Sequence, residues 1–487
     1  TPWRVVNMHM SDTLGGYTFF NEDFSETIEE PRFVDRGNVT ADVFSVDTHL
    51  LEINSKSGLY PLYLAYNVYR SRIKDGMFSP ETLEDHQALW DMVVAENIFV
   101  VCKTRMAKTI TRRTLLGFRK GKTNMWAPDD LINKIKNQPE LFIKKVHDLV
   151  GKDVKINAIV GNPPYQVMDG GGAGTSAVSV YNLFIQASKM LRPDYLSMIC
   201  PARWYTGGKG LDDFREEMLS DCHIATIYDY PNPKDCFPTA NVSGGICYFL
   251  WVIKYNGKCS FVNVVNGVKS TEERILNEFD VFVRYNNALS IIHKVYCPEN
   301  KSLIASVRAR NAFNLHSAVR GSAIKDSNND ILVYSSKGVG YIPVSEVTGC
   351  NELLPRYKTF MGKVLSGHVG ETDQAGQVKV ISTTIVAKPY EVTTDSYLVM
   401  GDFASLFEAT SLQKYLHTKF LRFLLLQSLA SMNISRGNFR FVPIQDFTEG
   451  SDIDWSKSVA EIDAQLYAKY NLSDEEIAFI ESMIKPM

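Results

Sequence analysis

Apolar residues in the first half of the chain form short runs that alternate with amphipathic stretches. Short apolar runs are typical of buried strands, and apolar positions spaced by three or four indicate helices. The predicted strands are residues 50–54, 97–101, 156–160, 195–200, 224–228 and 244–253, and the predicted helices are residues 58–72, 103–118, 181–191 and 211–219. This alternation predicts βαβ units and an α/β domain with a mostly parallel sheet, and we expect the last strand at its far edge.

The pattern changes after about residue 267. Strand-like pieces at 331–334, 378–381 and 396–400 and one long helix at 412–429 are separated by polar loops, which predicts an α+β domain. The final stretch predicts two short helices, the second of which begins with a capping box from Ser473 to Glu476. We therefore expect an α/β domain over residues 1–267, an α+β domain over 268–450 and a helical tail over 451–487.

Charge and cysteine content limit the function classes. The chain has 52 basic and 55 acidic residues, so any surface for nucleic acid must be local. The eight cysteines show no metal-binding spacing, and we expect neither a metal site nor disulfides. We find no apolar run long enough to cross a membrane and no signal peptide, so we expect a cytoplasmic protein. Because the chain begins with Thr1, it could be part of a longer polypeptide.

The motif Asn162-Pro163-Pro164-Tyr165 carries the most specific chemistry. It follows the predicted strand 156–160, at the place where open α/β sheets bind ligands. The Asn162 side-chain oxygen and the Pro163 carbonyl offer two acceptors to the two hydrogens of an aromatic amine, which frees the nitrogen lone pair. Tyr165 offers a flat surface on which a base can stack. The alternative is a proline-stiffened turn with a buried tyrosine.

These residues resemble motif IV of N6-adenine DNA methyltransferases, in the motif order in which the cofactor motifs come first and the recognition domain last. The segments 181–193, 199–204 and 235–238 are similar to those that follow in this family. The resemblance implies a Rossmann-like methyltransferase domain that uses S-adenosylmethionine, followed by a DNA target-recognition domain, as in fused type IIG-like restriction–modification enzymes. It also implies that Phe237 covers the other face of a flipped adenine, although Phe237 could instead belong to the core.

The resemblance further implies a set of cofactor-binding positions. Glu52 stands where an acid faces the cofactor ammonium, and Gly58 permits close backbone approach. The full set is Tyr17, Thr18, Glu52, Asn54, Ser57, Gly58, Cys102 and Phe184. Two residues depart from the family pattern. Lys56 replaces a usual glycine, and Cys102 replaces the acid that holds the ribose hydroxyls. Thr104 and a neighbouring backbone carbonyl are the two candidate substitutes for this acid.

The second domain is the candidate duplex reader. Arginine can read guanine edges, and lysine mostly contacts phosphates. The candidate DNA-binding residues are Arg308, Arg310, Arg320, Arg356, Lys358 and Arg436. Each of them could instead belong to a solvated charged face. We find no nuclease constellation, so any nuclease or helicase region would lie upstream of Thr1.

The sequence thus predicts a restriction–modification methyltransferase that modifies adenine in double-stranded DNA. Two alternatives stay open. One is a protein glutamine-N5 methyltransferase, which uses the same four residues on an amide nitrogen. The other is a catalytically silent DNA-recognition module, which Lys56 and Cys102 would favour.

Overall fold

A computed structural model describes residues 1–168, 177–208, 210–238, 242, 244–328, 330–364, 377–429 and 433–487. The chain divides into two compact units, Thr1–Asp280 and Val281–Met487. None of the helices in the described ranges combines the length and the apolar composition that a membrane crossing requires. The glycine run at 170–174, which the sequence predicts to be a flexible loop, lies outside the described residues.

The secondary structure of unit 1 alternates strands and helices over most of its length. Its strands are β1 (Gly16–Phe20), β2 (Thr27–Val34), β3 (Leu50–Ser55), β4 (Ile98–Cys102), β5 (Asn124–Trp126), β6 (Ala158–Gly161), β7 (Gln166–Met168), β8 (Ala177–Ser179), β9 (Tyr195–Pro201), β10 (Ile224–Tyr230), β11 (Ile246–Val252), β12 (Cys259–Val265) and β13 (Val268–Arg274). Its helices are α1 (Trp3–Thr13), α2 (Asn38–Val43), α3 (Leu59–Lys74), α4 (Leu83–Glu96), α5 (Arg105–Leu116), α6 (Leu131–Asn137), α7 (Pro139–Val150), α8 (Tyr181–Met190), α9 (Asp212–Ser220) and α10 (Pro233–Cys236), with a 3-10 turn at Ala202–Thr206.

A nine-stranded sheet in the order β13-β12-β10-β11-β9-β6-β3-β4-β5 organises unit 1. Its neighbours pair in parallel except at β9–β11, β11–β10 and β12–β13, so the expected mostly parallel sheet is confirmed. The prediction that β11 lies at the far edge is wrong. It is hydrogen-bonded on both sides between β9 and β10, in keeping with its nearly continuous run of buried apolar residues.

Unit 2 contains two three-stranded sheets and five helices in its described residues. The sheets have the orders β15-β14-β18 and β17-β16-β19, with β14 (Asp330–Ser335), β15 (Gly338–Pro343), β16 (Tyr357–Gly362), β17 (Thr384–Ala387), β18 (Glu391–Thr393) and β19 (Tyr397–Phe403). The helices are α11 (Asn286–Val295), α12 (Leu406–His417), α13 (Lys419–Gln427), α14 (Val459–Lys469) and α15 (Asp474–Met483). Short 3-10 turns lie at Glu299–Lys301, Leu303–Ser306, Val344–Glu346, Asn351–Leu353 and Arg436–Phe441.

Two predicted elements of unit 2 differ in the structure. Residues 378–381 form no strand, because Val380 has a φ of +68° that interrupts an extended backbone. The sequence predicts one helix over residues 412–429. In the structure this range contains the end of α12 and all of α13, which are separated at Thr418, where ψ is 146°. The Thr418 hydroxyl accepts a hydrogen bond from the Leu421 amide and caps α13. The capping box from Ser473 to Glu476 is confirmed at the start of α15.

The boundaries between compact regions also differ from those expected at residues 268 and 451. The strand β13 pairs along its full length with β12 and so belongs to the large sheet of unit 1. The last two helices belong to unit 2. Both carboxylate oxygens of Asp463 in α14 accept hydrogen bonds from the first amides of α13, and Lys294 in α11 pairs with Glu476 in α15 at 2.6 Å.

Candidate active site

The central strand β3 creates the crevice on which the site is built. The chain continues from β3 to β4 and β5 on one side of β3, whereas β6 pairs on its other side. At such a topological switch point the two loops leave the carboxyl edge in opposite directions and open a crevice for ligands. The end of β3 brings Glu52 and Asn54 to this edge, and the end of β6 brings Asn162.

The backbone at the end of β3 is irregular. The pairing register with β4 shifts between Ile53 and Ser55, and Asn54 between them has a φ of +76°. Gly58 also has a φ of +76°, and a Cβ atom built there would lie 3.0 Å from the Cα atom of Thr111. The turn before α3 therefore requires glycine at this position, where α5 packs closely against the backbone.

The Asn162 motif is tied directly to this turn. The Asn54 side-chain amide donates a hydrogen bond of 2.7 Å to the backbone carbonyl of Asn162. The Asn162 side-chain amide donates to the Thr1 hydroxyl at 2.8 Å. At this edge, three buried side-chain oxygens have no hydrogen-bond donor among the described residues: Glu52 Oε2, Asn54 Oδ1 and Asn162 Oδ1. Buried acceptors without donors are costly, so this edge suits a ligand that donates hydrogen bonds.

Electrostatics at the site centre on Glu52, whose carboxylate is buried. Burial raises the pKa of Glu52 to about 7, although the Ser55 side chain, the Thr1 amino group and Lys56 oppose the shift. The carboxyl group is consequently poised between its neutral and ionised forms near neutral pH. A positively charged ligand would favour the ionised form.

Tyr165 and Phe237 pack against the same hydrophobic cluster, which contains the buried residues Tyr230 and Tyr248. Both side chains are partly buried, and burial raises the pKa of Tyr165 well above its ordinary value. Tyr165 and Phe237 are 72 positions apart in the sequence. The structure packs both of them against one cluster.

The remaining cofactor candidates lie in different settings. Cys102 is fully buried in the core, and burial raises the pKa of its thiol to about 12. Phe184 is likewise fully buried. Ser57 is partly buried, and its carbonyl accepts a hydrogen bond of 2.7 Å from Thr114. A neutral buried thiol cannot hold ribose hydroxyls as a carboxylate does. Because Cys102 and Phe184 are both fully buried, neither side chain presents a surface to a ligand in this structure. The substitute Thr104 caps α5 by accepting from the Ala107 amide.

The N-terminal candidates Tyr17 and Thr18 lie on β1. Thr18 is buried and donates to Asn7 in α1 at 3.1 Å. Tyr17 is partly buried, its amide donates to Asn67 in α3, and the guanidinium of Arg70 lies 4.3 Å from its ring centroid. These contacts hold β1 to α1 and α3.

Sequence reasoning missed the contribution of α1 and of Tyr60 in α3. The buried His9 side chain bonds with the Tyr60 hydroxyl and with Ser197 in β9, both at 2.8 Å. Burial, followed by nearby Tyr165 and Glu52, raises the pKa of Tyr60 well above its ordinary value. Apolar residues at positions 3, 6, 10 and 14 carry the helical spacing that predicts α1.

In unit 2, Lys358 is not available at the surface. Its side chain is fully buried, and its ammonium donates to the carbonyls of Arg356 and Lys388 at 3.0 and 3.2 Å. Burial lowers the pKa of Lys358 to about 8. The expectation that this residue reaches DNA is therefore corrected. Both faces of β16 are buried from Lys358 to Gly362, so the side chain has no route to solvent from this strand.

The five arginine candidates of unit 2 are exposed or half-buried. Arg310 forms a two-point ion pair with Asp395 through Nε and Nη2, while its side chain stays 83% exposed. Arg308 and Arg356 both approach Asp402, at 3.6 and 2.6 Å. Arg320 and Arg436 are exposed and donate to backbone carbonyls.

Residues 96–237 match the family described as Eco57I restriction-modification methylase. The matched segment contains the Asn162 motif and Phe237, and it begins at the end of α4. The chain is also 37% identical, over 107 residues, to an uncharacterized adenine-specific methylase of Mycoplasma pneumoniae. That alignment covers 22% of this chain and 25% of the relative. Part of the chain is thus homologous to an adenine-specific methylase, and residues 96–237 match a restriction–modification methylase family.

Solved structures of restriction–modification enzymes also resemble the chain. The type IIG restriction endonuclease BpuSI is 13% identical, with a TM-score of 0.39 over 90% of this chain and 62% of that chain. The type IIL enzyme MmeI, in complex with DNA, is 9% identical, with a TM-score of 0.40 over 90% and 73% of the two chains. The type I methyltransferase subunit from Streptococcus thermophilus is 11% identical, with a TM-score of 0.32 over 54% and 47%.

Proposed function

We propose that the chain transfers a methyl group from S-adenosylmethionine to the N6 amine of an adenine flipped out of duplex DNA, as part of a restriction–modification system. The main support for this proposal is the buried Asn162 Oδ1 at the carboxyl edge of the sheet, which has no hydrogen-bond donor among the described residues. The homology to an adenine-specific methylase over 107 residues supports the choice of substrate.

Asn162 and Pro163 act on the amine of the base. Adenine's exocyclic nitrogen is a poor nucleophile because its lone pair is delocalised into the ring. Asn162 Oδ1 and the Pro163 carbonyl each accept one amine hydrogen, which favours a tetrahedral nitrogen with a free lone pair. Pro163 and Pro164 stiffen the loop and add no competing N–H donors. Tyr165 and Phe237 supply aromatic surfaces for the flipped base.

The residues around β3 fit S-adenosylmethionine in part. Bound there, this cofactor supplies a methyl group that is already activated by the positive charge of its sulfur. Glu52 holds the cofactor ammonium, because its buried Oε2 lacks a donor among the described residues. The partly buried Ser57 lies in the same turn and is the proposed backbone contact to the cofactor, while Gly58 allows the turn to pack on α5.

The five arginine candidates of unit 2, which are exposed or half-buried, supply the proposed contacts to the duplex. Arg308, Arg310, Arg320, Arg356 and Arg436 remain in this set, and Lys358 is left out because it is buried. Arginine binds phosphates and guanine edges through several N–H groups at once, which suits both affinity and sequence selection.

The test is methyl transfer by the whole chain from labelled S-adenosylmethionine to mixed-sequence duplex DNA, with the product identified after digestion. We expect N6-methyladenine, and we expect Asn162→Ala to lower the rate by about 100- to 1000-fold, the usual effect of removing one aligned polar group. The DNA dissociation constant of the variant should stay within a few-fold of the unmodified chain.

Asn157→Ala is the matched control. Asn157 lies just before β6, at the opposite end of the strand, and its side chain accepts from the His49 amide at 2.9 Å. This variant should retain the transfer rate. Unreduced transfer by Asn162→Ala, or a methyl group found on cytosine or on a protein glutamine, would contradict the proposal.

Cys102 favours one second candidate, a DNA-recognition module without catalysis. The acid that the resemblance places here is replaced by a buried thiol. Titration of the whole chain with S-adenosylmethionine separates the two functions. Sequence-specific DNA binding without any cofactor binding would support the silent module.

A further inference from the structure

A strongly basic segment surrounds α5, although the whole chain carries a net charge of -3. Residues 97–128 contain no aspartate or glutamate. Their basic residues are Lys103, Arg105, Lys108, Arg112, Arg113, Arg119, Lys120 and Lys122. Such a local excess of one sign produces a positive potential that a balanced composition conceals.

Most of these charges face solvent. The exposed members are Lys103, Arg105, Lys108, Arg113, Lys120 and Lys122, which we call the α5 basic surface. Within the described ranges, ion pairs of these eight basic residues join only Arg105 to Asp129 at 2.9 Å and Arg119 to Asp91 at 2.7 Å. The Arg105 pair is itself 84% exposed on both sides, where solvent screens it. The surface therefore keeps most of its positive charge.

The opposite face of α5 closes the turn at the candidate active site. Thr111 bonds with Ser55 at 3.0 Å, and Thr114 donates to the Ser57 carbonyl at 2.7 Å. The basic face consequently lies on the same helix that borders the carboxyl edge of the sheet. Burial and, after it, the neighbouring charge of Lys103 lower the pKa of Lys56, which places the basic residue Lys103 close to the turn.

The apolar positions of α5 are divided between core and solvent. Ala107, Leu115 and Leu116 are buried against the rest of unit 1, whereas Met106 and Ile110 are exposed beside the basic residues. Anionic lipid is therefore the competing partner that the experiment has to separate from DNA. The twelve residues of α5 extend over about 18 Å, a length along which a DNA strand presents several phosphates.

We propose that the α5 basic surface binds the phosphates of duplex DNA beside the adenine that enters the site. The inference rests on the proposed function, and it adds a sequence-independent DNA contact on unit 1. Because these contacts read no bases, they hold any duplex near the catalytic edge while the arginines of unit 2 select the sequence.

The experiment compares two triple variants of the whole chain. Lys103→Gln/Lys108→Gln/Arg113→Gln removes three charges from the α5 basic surface. Lys144→Gln/Lys145→Gln/Lys152→Gln removes three exposed charges in and after α7. Binding of a 30-base-pair duplex is measured at about 50 to 300 mM salt, for two unrelated sequences. Circular dichroism and melting temperature verify that both variants are folded.

We expect the α5 variant to bind both duplexes at least about tenfold more weakly at low salt. Its slope of log K against log salt should be shallower by about two to three, near one unit for each phosphate contact removed. The α7 variant should retain the affinity and the slope of the unmodified chain. Equal DNA affinity and equal salt slope for the α5 variant and the unmodified chain would overturn the inference. It would also be overturned if the α5 variant lost binding only to anionic phospholipid vesicles and not to DNA.

The failure of the inference can be told apart from the failure of the proposed function. Methyl transfer without any effect of the α5 charges on DNA binding would leave the function and remove the inference. Charge-dependent DNA binding without methyl transfer would support the inference and contradict the enzymatic activity.

Discussion

The side-chain amide of Asn54 donates a 2.7 Å hydrogen bond to the backbone carbonyl of Asn162. The two residues end neighbouring parallel strands and lie 108 positions apart in the sequence. The bond joins the turn proposed to hold the cofactor to the loop proposed to hold the base. It fixes the backbone from which Asn162 and Pro163 present their acceptors.

Replacing Asn54 should separate the hydrogen bond from the backbone conformation. Asn54→Gly retains access to the φ of +76° but loses the bond, and we expect the free energy of unfolding to fall by about 1 kcal/mol. Asn54→Ala loses both and should cost about 1–2 kcal/mol more. Denaturant unfolding measures the difference. Equal stability of the two variants would show that the conformation of Asn54 carries no strain.

The affinity for S-adenosylmethionine should depend on pH through Glu52. Its pKa of about 7 lies above the ordinary value of 4.5, and an ammonium binds the ionised form. Binding then releases a proton below pH 7, so the dissociation constant should fall about tenfold per pH unit from pH 5.5 and level off near pH 7. Calorimetry below pH 7.5 avoids titration of the ligand's own amine.

Glu52→Gln is the control for this dependence. The variant should bind the cofactor more weakly and without the pH slope. The free energy of unfolding of the unmodified chain should depend on pH in the opposite sense, since it falls over the range in which cofactor affinity rises. The folded chain holds a proton that the unfolded chain loses between pH 4.5 and 7, so unmodified stability falls by up to about 3 kcal/mol over that window. A flat pH profile of binding in the unmodified chain would argue against contact between Glu52 and the ammonium.

Gly58→Ala should destabilise unit 1 and impair cofactor binding. The added Cβ meets the Thr111 backbone at 3.0 Å, and φ is +76°, so we expect a loss of about 2–3 kcal/mol. Gly76→Ala is matched, since φ there is +72° and nothing lies within 4 Å of the new atom. It should cost about 1 kcal/mol and leave cofactor binding intact. Similar losses in both variants would remove the argument for a steric requirement at Gly58.

Arg310 and Lys358 should contribute differently to DNA binding. Arg310 is 83% exposed and oriented by Asp395, so Arg310→Ala should weaken duplex binding by about tenfold. Lys358 is buried on backbone carbonyls, so Lys358→Met should leave the affinity of the folded chain within about twofold. Fluorescence anisotropy with a labelled duplex measures both, after melting curves confirm that each variant is folded. A larger loss for Lys358→Met would return that residue to the DNA interface.

The sequence alone predicted six of the nine strands of the large sheet and the helices that follow several of them, but not β5, β12 and β13. It also singled out Asn162 to Tyr165, whose chemistry stays a prediction. Those features depend on local apolar spacing and on residue type, which are legible without a structure. The prediction that β11 lies at the sheet edge was wrong. A continuous apolar run indicates that a strand is buried, but it does not indicate which strands lie beside it.

Only the tertiary structure decided which candidates share a site. Asn54 and Asn162 meet because parallel strands place distant residues at one edge, and Tyr165 and Phe237 meet on one hydrophobic cluster. Burial likewise separates Lys358 and Cys102 from the surface, although their residue types favour polar or reactive roles. Exposure and long-range contact arise from packing among elements, so no local pattern in the sequence can specify them.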